Sequence, residues 1–358
     1  MSSYPAMKPR PATLGVTSPY SCPAMKRILA VTALMLSLAG CAQLRGDDDP
    51  PAANPTPQPP ASATTGAGTP TAVPAEPACD PPCYTEPEGV AILSADLVEQ
   101  PSGLAASVRN PGLYYVVSDV AGTAAVVVIT EDGSHVATLT IDGMSAANAE
   151  ALATGPCGVT ESTCLFIGDI GDHVGRPDVV VYRVAEPDLT EPPDASLAAD
   201  VLRYTYPDGP TDAEALLVDA AGRAVIISKA ATRDGAIGSE ATIVYRGETD
   251  GGRLDRVGEL DLPEPENPVF AFIVGNVVTG ADTLRDGRVI VRTYDEVLEY
   301  YTSNQDADVA AFPEWDVRRV PTPSQIQSEA IAYRGDGCGY LVLAERTGAL
   351  DVIRCDQG

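Results

Sequence analysis

Five short units recur between residues 102 and 345, and four of them open on an acid: Glu150, Glu214, Asp282 and Glu329, with Ser102 in the same place in the remaining unit. Each unit runs acid, small or apolar triplet, turn, apolar strand, polar residue. The closing polar residues are Asp119, Asp169, Lys229, Arg292 and Glu345. If the units are equivalent in space, these side chains converge. Carboxylates brought within a few ångströms repel one another unless something offsets their charge, and Ca2+ or Mg2+ with oxygen ligands is suited to do so. Glu150, Glu214, Asp282 and Glu329 are therefore the candidate metal ligands. Asp119, Asp169, Lys229, Arg292 and Glu345 are candidate ligand-binding residues around them, as are Asp172, His173 and Arg176 in the loop after Asp169. The competing reading is structural: the acids cap strand starts through backbone amides, and Asp169, Asp172 and Arg176 pin their own loop.

Other chemistries find less support. There is no Gly-x-Ser-x-Gly elbow, and His135 falls in an expected turn between outer strands, so a Ser-His-Asp triad has little to stand on. A glycan hydrolase would use a carboxylate pair such as Glu150 and Glu329, but the single tryptophan, Trp315, is expected on an outer strand, which gives sugar stacking little support.

The elements that must position these residues are short β-strands. Each unit supplies two, and a third apolar segment follows each: 126–129, 179–184, 242–246, 297–301 and 350–354. Four units have a fourth segment, at 136–141, 201–206, 257–262 and 315–320; the fifth meets the end of the chain instead. The run 90–97, ahead of the first unit, can supply the missing strand. This predicts an all-β fold, a β-propeller of five four-stranded blades closed by the N-terminal strand, which removes the open sheet edge. A six-bladed ring is the alternative, because the apolar stretch 270–278 has no place in the scheme.

Strands of the Glu-Ala-Leu-Ala and Val-Val-Ser-Asp type resemble the repeats of SMP-30, strictosidine-synthase-like and NHL propellers. More closely, Gly168-Asp169-Ile170-Gly171-Asp172, Asp212-Ala213-Glu214-Ala215-Leu216 and Thr279-Gly280-Ala281-Asp282 are similar to a group of actinobacterial secreted propeller lipoproteins. The resemblance covers the whole domain and implies the fold; propellers host many unrelated activities. The ligand set of gluconolactonase-like relatives is not matched residue by residue.

The N-terminal quarter reads as an address. Lys26 and Arg27 precede an apolar run, 28–38, too short to span a bilayer, which needs about 20 residues. Leu38-Ala39-Gly40-Cys41 resembles the lipobox of bacterial lipoproteins, which implies lipidation of Cys41 and cleavage before it. Residues 1–40 are thus expected to be a signal peptide with an over-long leader, 1–24, and a translation start at Met25. Residues 41–87 are expected to be a disordered, Pro/Ala/Thr-rich tether with a reach of roughly 33 Å, and residues 88–358 the propeller. The expected place is the outer face of the bacterial cell membrane, held by the lipid anchor.

The chain carries a net charge of −27, and loss of residues 1–40 removes four bases and no acid, leaving −31. Nucleic acid and anionic lipid headgroups are poor partners for such a surface. Six cysteines remain after Cys22 and Cys41 are set aside. An even count in an exported protein points to disulfides, and the blade scheme pairs Cys157 with Cys164 and Cys338 with Cys355, leaving Cys79 for Cys83. The expected function is binding of a small molecule or extracytoplasmic protein at an acidic channel rim. A metal-dependent hydrolase of the lactonase or phosphoesterase type is the alternative.

Overall fold

The computed structural model describes residues 83–158, 162–172, 174–190, 196–229, 241–269 and 275–356. Runs rich in Val, Ile, Tyr and Ala, bounded by glycine turns, form short strands that bury both faces. The chain enters through β1 (Cys83–Tyr84) and β2 (Glu88–Ile92). The first blade is β3 (Pro101–Ala106), β4 (Leu113–Ser118), β5 (Ala125–Thr130) and β6 (His135–Asp142). The second is β7 (Ala151–Pro156), β8 (Thr163–Asp169), β9 (Val179–Ala185) and, after the short β10 (Leu197–Ala198), β11 (Asp200–Thr205). The third is β12 (Ala213–Val218), β13 (Ala224–Ser228), β14 (Thr242–Arg246) and, after β15 (Gly252–Arg253), β16 (Asp255–Leu260). The fourth is β17 (Val278–Leu284), β18 (Arg288–Thr293), β19 (Val297–Tyr301) and β20 (Asp316–Val320). The fifth is β21 (Ser328–Tyr333), β22 (Gly339–Ala344) and β23 (Ala349–Asp356).

Neighbouring strands within each blade run antiparallel, and the last blade is completed from the other end of the chain. β2 pairs with β23, Glu88 opposite Val352 and Ile92 opposite Ala349. The fold is a five-bladed propeller, not a six-bladed one. The closing strand is shorter than the run 90–97, because Ala349 is the last residue of β23 available to it and Leu93 turns to donate to the Gly348 carbonyl. Leu93 and Val98 are still buried, as apolar plugs from a turn. β1 adds to the far end of β23, Tyr84 opposite Cys355, so the stretch read as tether contributes two residues to the ring.

Alternation splits the inner strands of each blade between two cores, while the outer strands keep one face in solvent. Val126 and Val128 face the cluster between blades one and two, while Val127 and Ile129 face the cluster between blades five and one. Strands buried on both faces must read as near-continuous apolar runs, and each buried Val, Leu or Ile is worth roughly 1.5–3 kcal/mol. The five innermost strands, β3, β7, β12, β17 and β21, contact one another in sequence around the axis.

The connection between third and fourth strands in one blade covers the outer edge of the blade before it. β10 pairs in parallel with β6, and β15 with β11. Between β19 and β20 the 3-10 helix Val309–Glu314 packs Ala310 and Phe312 into the core shared with blade three. In the β5–β6 hairpin Glu131 reaches back to Arg334 and Arg354 of blade five, at 2.8 and 2.9 Å. Tyr84 of β1 does this for blade four, donating to Glu299 at 2.5 Å. Nothing in the sequence marks the two-residue strands β10 and β15.

Cys157 bonds Cys164 and Cys338 bonds Cys355, with Cα separations of 5.1 and 5.3 Å, as the blade scheme requires. Cys83 is disulfide-bonded; its expected partner, Cys79, lies outside the described residues, as do Cys41 and the run 28–38.

Candidate functional site

In four blades the innermost strand carries one extra residue just inside its start. Pro101 faces Ser118 while Gly103 faces Val117, and the same shift occurs at Ala213/Ala215, Val278/Gly280 and Ser328/Ala330. The residue left over is Ser102, Glu214, Thr279 or Glu329. A bulge leaves its extra residue outside the ladder and bends the strand, which re-aims the side chain. In blade two Glu150 takes the corresponding place immediately before β7, its N–H donating to the Gly168 carbonyl at 2.9 Å. Glycine beside the bulge lets blades approach: a Cβ on Gly280 would lie 2.4 Å from the Glu329 carbonyl oxygen.

One carboxylate oxygen from each of Glu150, Glu214 and Glu329 lies within 4.8 Å of the other two, and all three side chains are buried. Ser102 Oγ donates to Glu150 Oε2 at 2.5 Å. Lys229 Nζ reaches Glu214 Oε1 at 2.5 Å and stands 5.4 Å from the centre of the Tyr294 ring.

Asp282 is not in this group. It lies three residues beyond the bulge, opposite Ile290, where its carboxylate accepts the N–H of Thr283 and of Tyr333, both at 2.8 Å, and ties blade four to blade five. Thr279 holds the blade-four place instead, its hydroxyl donating to the Ser328 carbonyl at 2.9 Å. Arg292 is displaced for the same reason: it faces Gly280 inside the ladder and is 1% exposed, and the residue that follows the strand end there is Tyr294. Burial pushes the Arg292 guanidinium down to about 10.

Asp119, Lys229 and Glu345 do follow their strand ends, their N–H groups donating to the carbonyls of Gln100, Asp212 and Gln327. Asp169 falls one residue short of that position, because Ala151 already faces Gly168 and Asp169 pairs with Val180. It accepts from the N–H of Ala147 and Asn148 and from Arg176 Nη1 at 2.8 Å. Asp172 accepts the N–H groups of Val174, Gly175 and Arg176, and Arg176 Nη2 also donates to the Asp169 and Gly171 carbonyls. This arrangement braces the loop. His173 lies outside the described residues.

Two residues that sequence reasoning passed over complete the rim. Gln100 and Gln327, at equivalent places in blades one and five, both have left-handed backbones, φ 47° and 49°. Each donates its side-chain amide to Glu345, at 3.2 and 3.3 Å. Polar residues two places before a bulge were the available signal.

The electrostatics set this cluster apart. Buried carboxylates elsewhere are surrounded by donors: Glu186 accepts from Ser107, Tyr115 and Thr163 hydroxyls and two backbone amides, and Glu299 from Tyr84, Tyr333 and Arg318. At the mouth, carboxylates face carboxylates. Burial, then Glu345, pushes Glu329 up to about 8; burial, then Glu150 and Glu345, pushes Asp119 up to about 7. Burial, then Glu150, also drives Glu214 upward, against the pull of Lys229. Burial would lower Lys229, but Glu214 outweighs it and the ammonium keeps its proton. With that ion pair in place, the remaining carboxylates of the cluster, Glu329 among them, hold a proton more tightly than an ordinary glutamate. Among the described residues, Glu214 Oε2 and Asp119 Oδ1 are buried without a hydrogen-bond partner. Three buried carboxylates, one of which keeps an oxygen without a hydrogen-bond partner, fit an oxygen-seeking divalent cation.

No protein-family model matches the chain, and no curated protein matches it significantly. Among solved structures it is similar to a streptogramin B lyase, at 10% identity over 76% of this chain and 98% of that one, with a TM-score of 0.39. It is also similar to an inactive variant of virginiamycin B lyase from Staphylococcus aureus, at 11% identity over 76% and 100%, TM-score 0.38. The calcium-binding protein regucalcin from Agrobacterium tumefaciens follows, at 12% identity over 74% and 94%, TM-score 0.40. These are distant likenesses of fold.

Proposed function

We propose that this chain is a lipid-anchored, extracytoplasmic propeller that binds a divalent cation, and through it a ligand, at the mouth of its central channel. Glu150, Glu214 and Glu329 hold the ion, and Asp119 and Glu345 flank it. The observation that carries the reading is the partner-free, buried Glu214 Oε2 inside a triad of carboxylates that has one ammonium beside it. Burying negative charge without compensation is costly, and a bound Ca2+ or Mg2+ supplies the compensation. The outer face of the membrane, through Cys41, follows from the lipobox and is part of the same proposal. Thermal melting of the mature protein with chelator and with millimolar Ca2+ or Mg2+ tests the site. The cation should raise the melting temperature, and Glu214→Gln should blunt the response; identical curves with chelator and cation would leave the acids as structural groups.

One feature favours a second reading, a metal-dependent hydrolase. Glu329, held near neutrality, has the proton affinity of a general acid or base at physiological pH. Turnover of lactones or phosphate esters that is lost with chelator and in Glu329→Gln would establish it, and the absence of turnover with the ion bound would discard it.

A further inference from the structure

One of the bulkiest fully buried side chains carries a charge. Arg292, on β18, is 1% exposed, and among the described residues its Nε and Nη1 are buried with no hydrogen-bond partner. Its Nη2 reaches only the Tyr294 carbonyl, at 3.5 Å. Other buried or half-buried arginines meet a carboxylate: Arg176 meets Asp169, Arg288 meets Asp286, and Arg318 meets Glu299. Asp295 and Asp351 attract Arg292, but neither accepts a hydrogen bond from it, and Asp351 is taken by Gln325 Nε2.

Register fixes where this charge lies. Residues directly opposite in an antiparallel pair project to the same side of the sheet. Arg292 therefore leaves β18 on the side that a Cβ on Gly280 would take, towards the Glu329 carbonyl and Ile331 of β21. Ile290, two residues earlier and on the same face, packs with Ile331, Tyr340, Val342 and Ile353. The guanidinium is thus lodged in the largely apolar layer between blades four and five. We infer that this layer holds a small monovalent anion, chloride in its chemistry, bonded by Arg292 Nε and Nη1.

Charge decides between an anion and water. Water satisfies N–H groups but leaves the charge uncompensated, and an isolated charge in an apolar layer is costly to keep. Burial lowers the guanidinium only to about 10, so it remains charged at neutral pH. Burial also sets the class of anion. A side chain 1% exposed is closed to a ligand of several atoms reaching in from solvent. Sulfate and phosphate carry more charge than one guanidinium balances and lose their hydration at greater cost. A single halide matches the charge one for one and sheds its water more readily. The site is separate from the carboxylate triad and needs no cation there.

Two measurements on the mature protein test this. Crystals grown in bromide should show anomalous scattering from an ion within hydrogen-bonding reach of Arg292 Nε and Nη1. Melting should be followed with chelator present, so that the mouth contributes nothing, while chloride replaces gluconate at constant ionic strength. The melting temperature should rise, by about 5 °C at a hundred times the dissociation constant of the anion. Arg292→Met keeps the length of the side chain without its charge and should abolish that rise. In gluconate this variant should melt above the parent, because an uncompensated charge has been removed, and chloride should narrow the gap. No bromide at Arg292, parent melting indifferent to chloride, or an equal rise in parent and variant would each overturn the assignment. Should Arg292→Met fail to fold, the bromide position and the response of the parent decide the matter.

Discussion

Moving the metal-free protein from about pH 5.5 to about pH 8.5 should weaken it, the reverse of the usual carboxylate effect. Glu329 holds its proton in the folded ring up to about pH 8, against about 4.3 for an unfolded glutamate. Between these values the folded state binds more protons than the unfolded chain. The stabilisation is therefore complete below the lower value and is lost as pH rises through the upper one. At 1.36 kcal/mol for each pKa unit, Glu329 sets a ceiling of about 5 kcal/mol on the whole effect and about 3 kcal/mol on the part lost between about pH 5.5 and 8.5. A divalent cation should reverse it. At 100 times its dissociation constant a ligand specific for the folded state adds about 2.7 kcal/mol, which for a domain of this size is roughly 5–10 °C in melting temperature. The gain should be larger at the higher pH, where protons no longer compete for the oxygens. Scanning calorimetry at both pH values, with chelator and with Ca2+ or Mg2+, measures all four states. A metal-free melting temperature that climbs between about pH 5.5 and 8.5 would refute the proton held on Glu329. A cation shift that is equal at both pH values, or unchanged in Glu214→Gln, would place the ion elsewhere.

Removing residues 83–92 should leave β23 with an open edge and Glu299 without its Tyr84 donor, and should lower the melting temperature by about 10 °C or more with aggregation; a monomer that melts like the parent would contradict closure by these strands. Replacing Cys338 and Cys355 by alanine should cost about 3 kcal/mol in urea unfolding, the loop-entropy value for a bridge of this span, and replacing Cys157 and Cys164 about 2 kcal/mol. Cys41→Ser should release the protein from the membrane fraction or leave it as unprocessed precursor, and normal retention of that variant would discount the lipobox.

Most of the ring was legible because the three inner strands of each blade are buried on both faces and so appear as short apolar runs between turn signals, while outer strands alternate buried and exposed residues. Two things were not. Blade four was read three residues out of register, since Asp282-Thr283-Leu284 imitates the acid-small-apolar pattern while the true bulge, Thr279-Gly280-Ala281, lacks an acid; Arg292 was misplaced with it in favour of Tyr294. Only the close approach of Gly280 to Glu329 separates the two choices, and that is a property of packed blades. Asp169 was one residue out for a related reason, since the pairing of Ala151 with Gly168 cannot be read from the chain. Leu93 and Val98 show the converse: apolar residues that fill a core from a turn carry the same signature as a strand.

The backward reach of each blade's outer connection has a consequence for how the ring can come apart. β10, β15, the helix Val309–Glu314, the β5–β6 hairpin and Tyr84 each secure a blade other than the one to which they belong by chain order. No blade can open alone, because freeing its outer strand also means withdrawing a segment of the next. Unfolding free energy is therefore shared around the ring, in contrast to linear repeat arrays, where end units fray independently. The one discontinuity is the seam between β2 and β23, where cohesion depends on segments from opposite ends of the chain. The acidic mouth is thus held by a cooperative frame in which opposite ends of the chain meet at the β2–β23 seam.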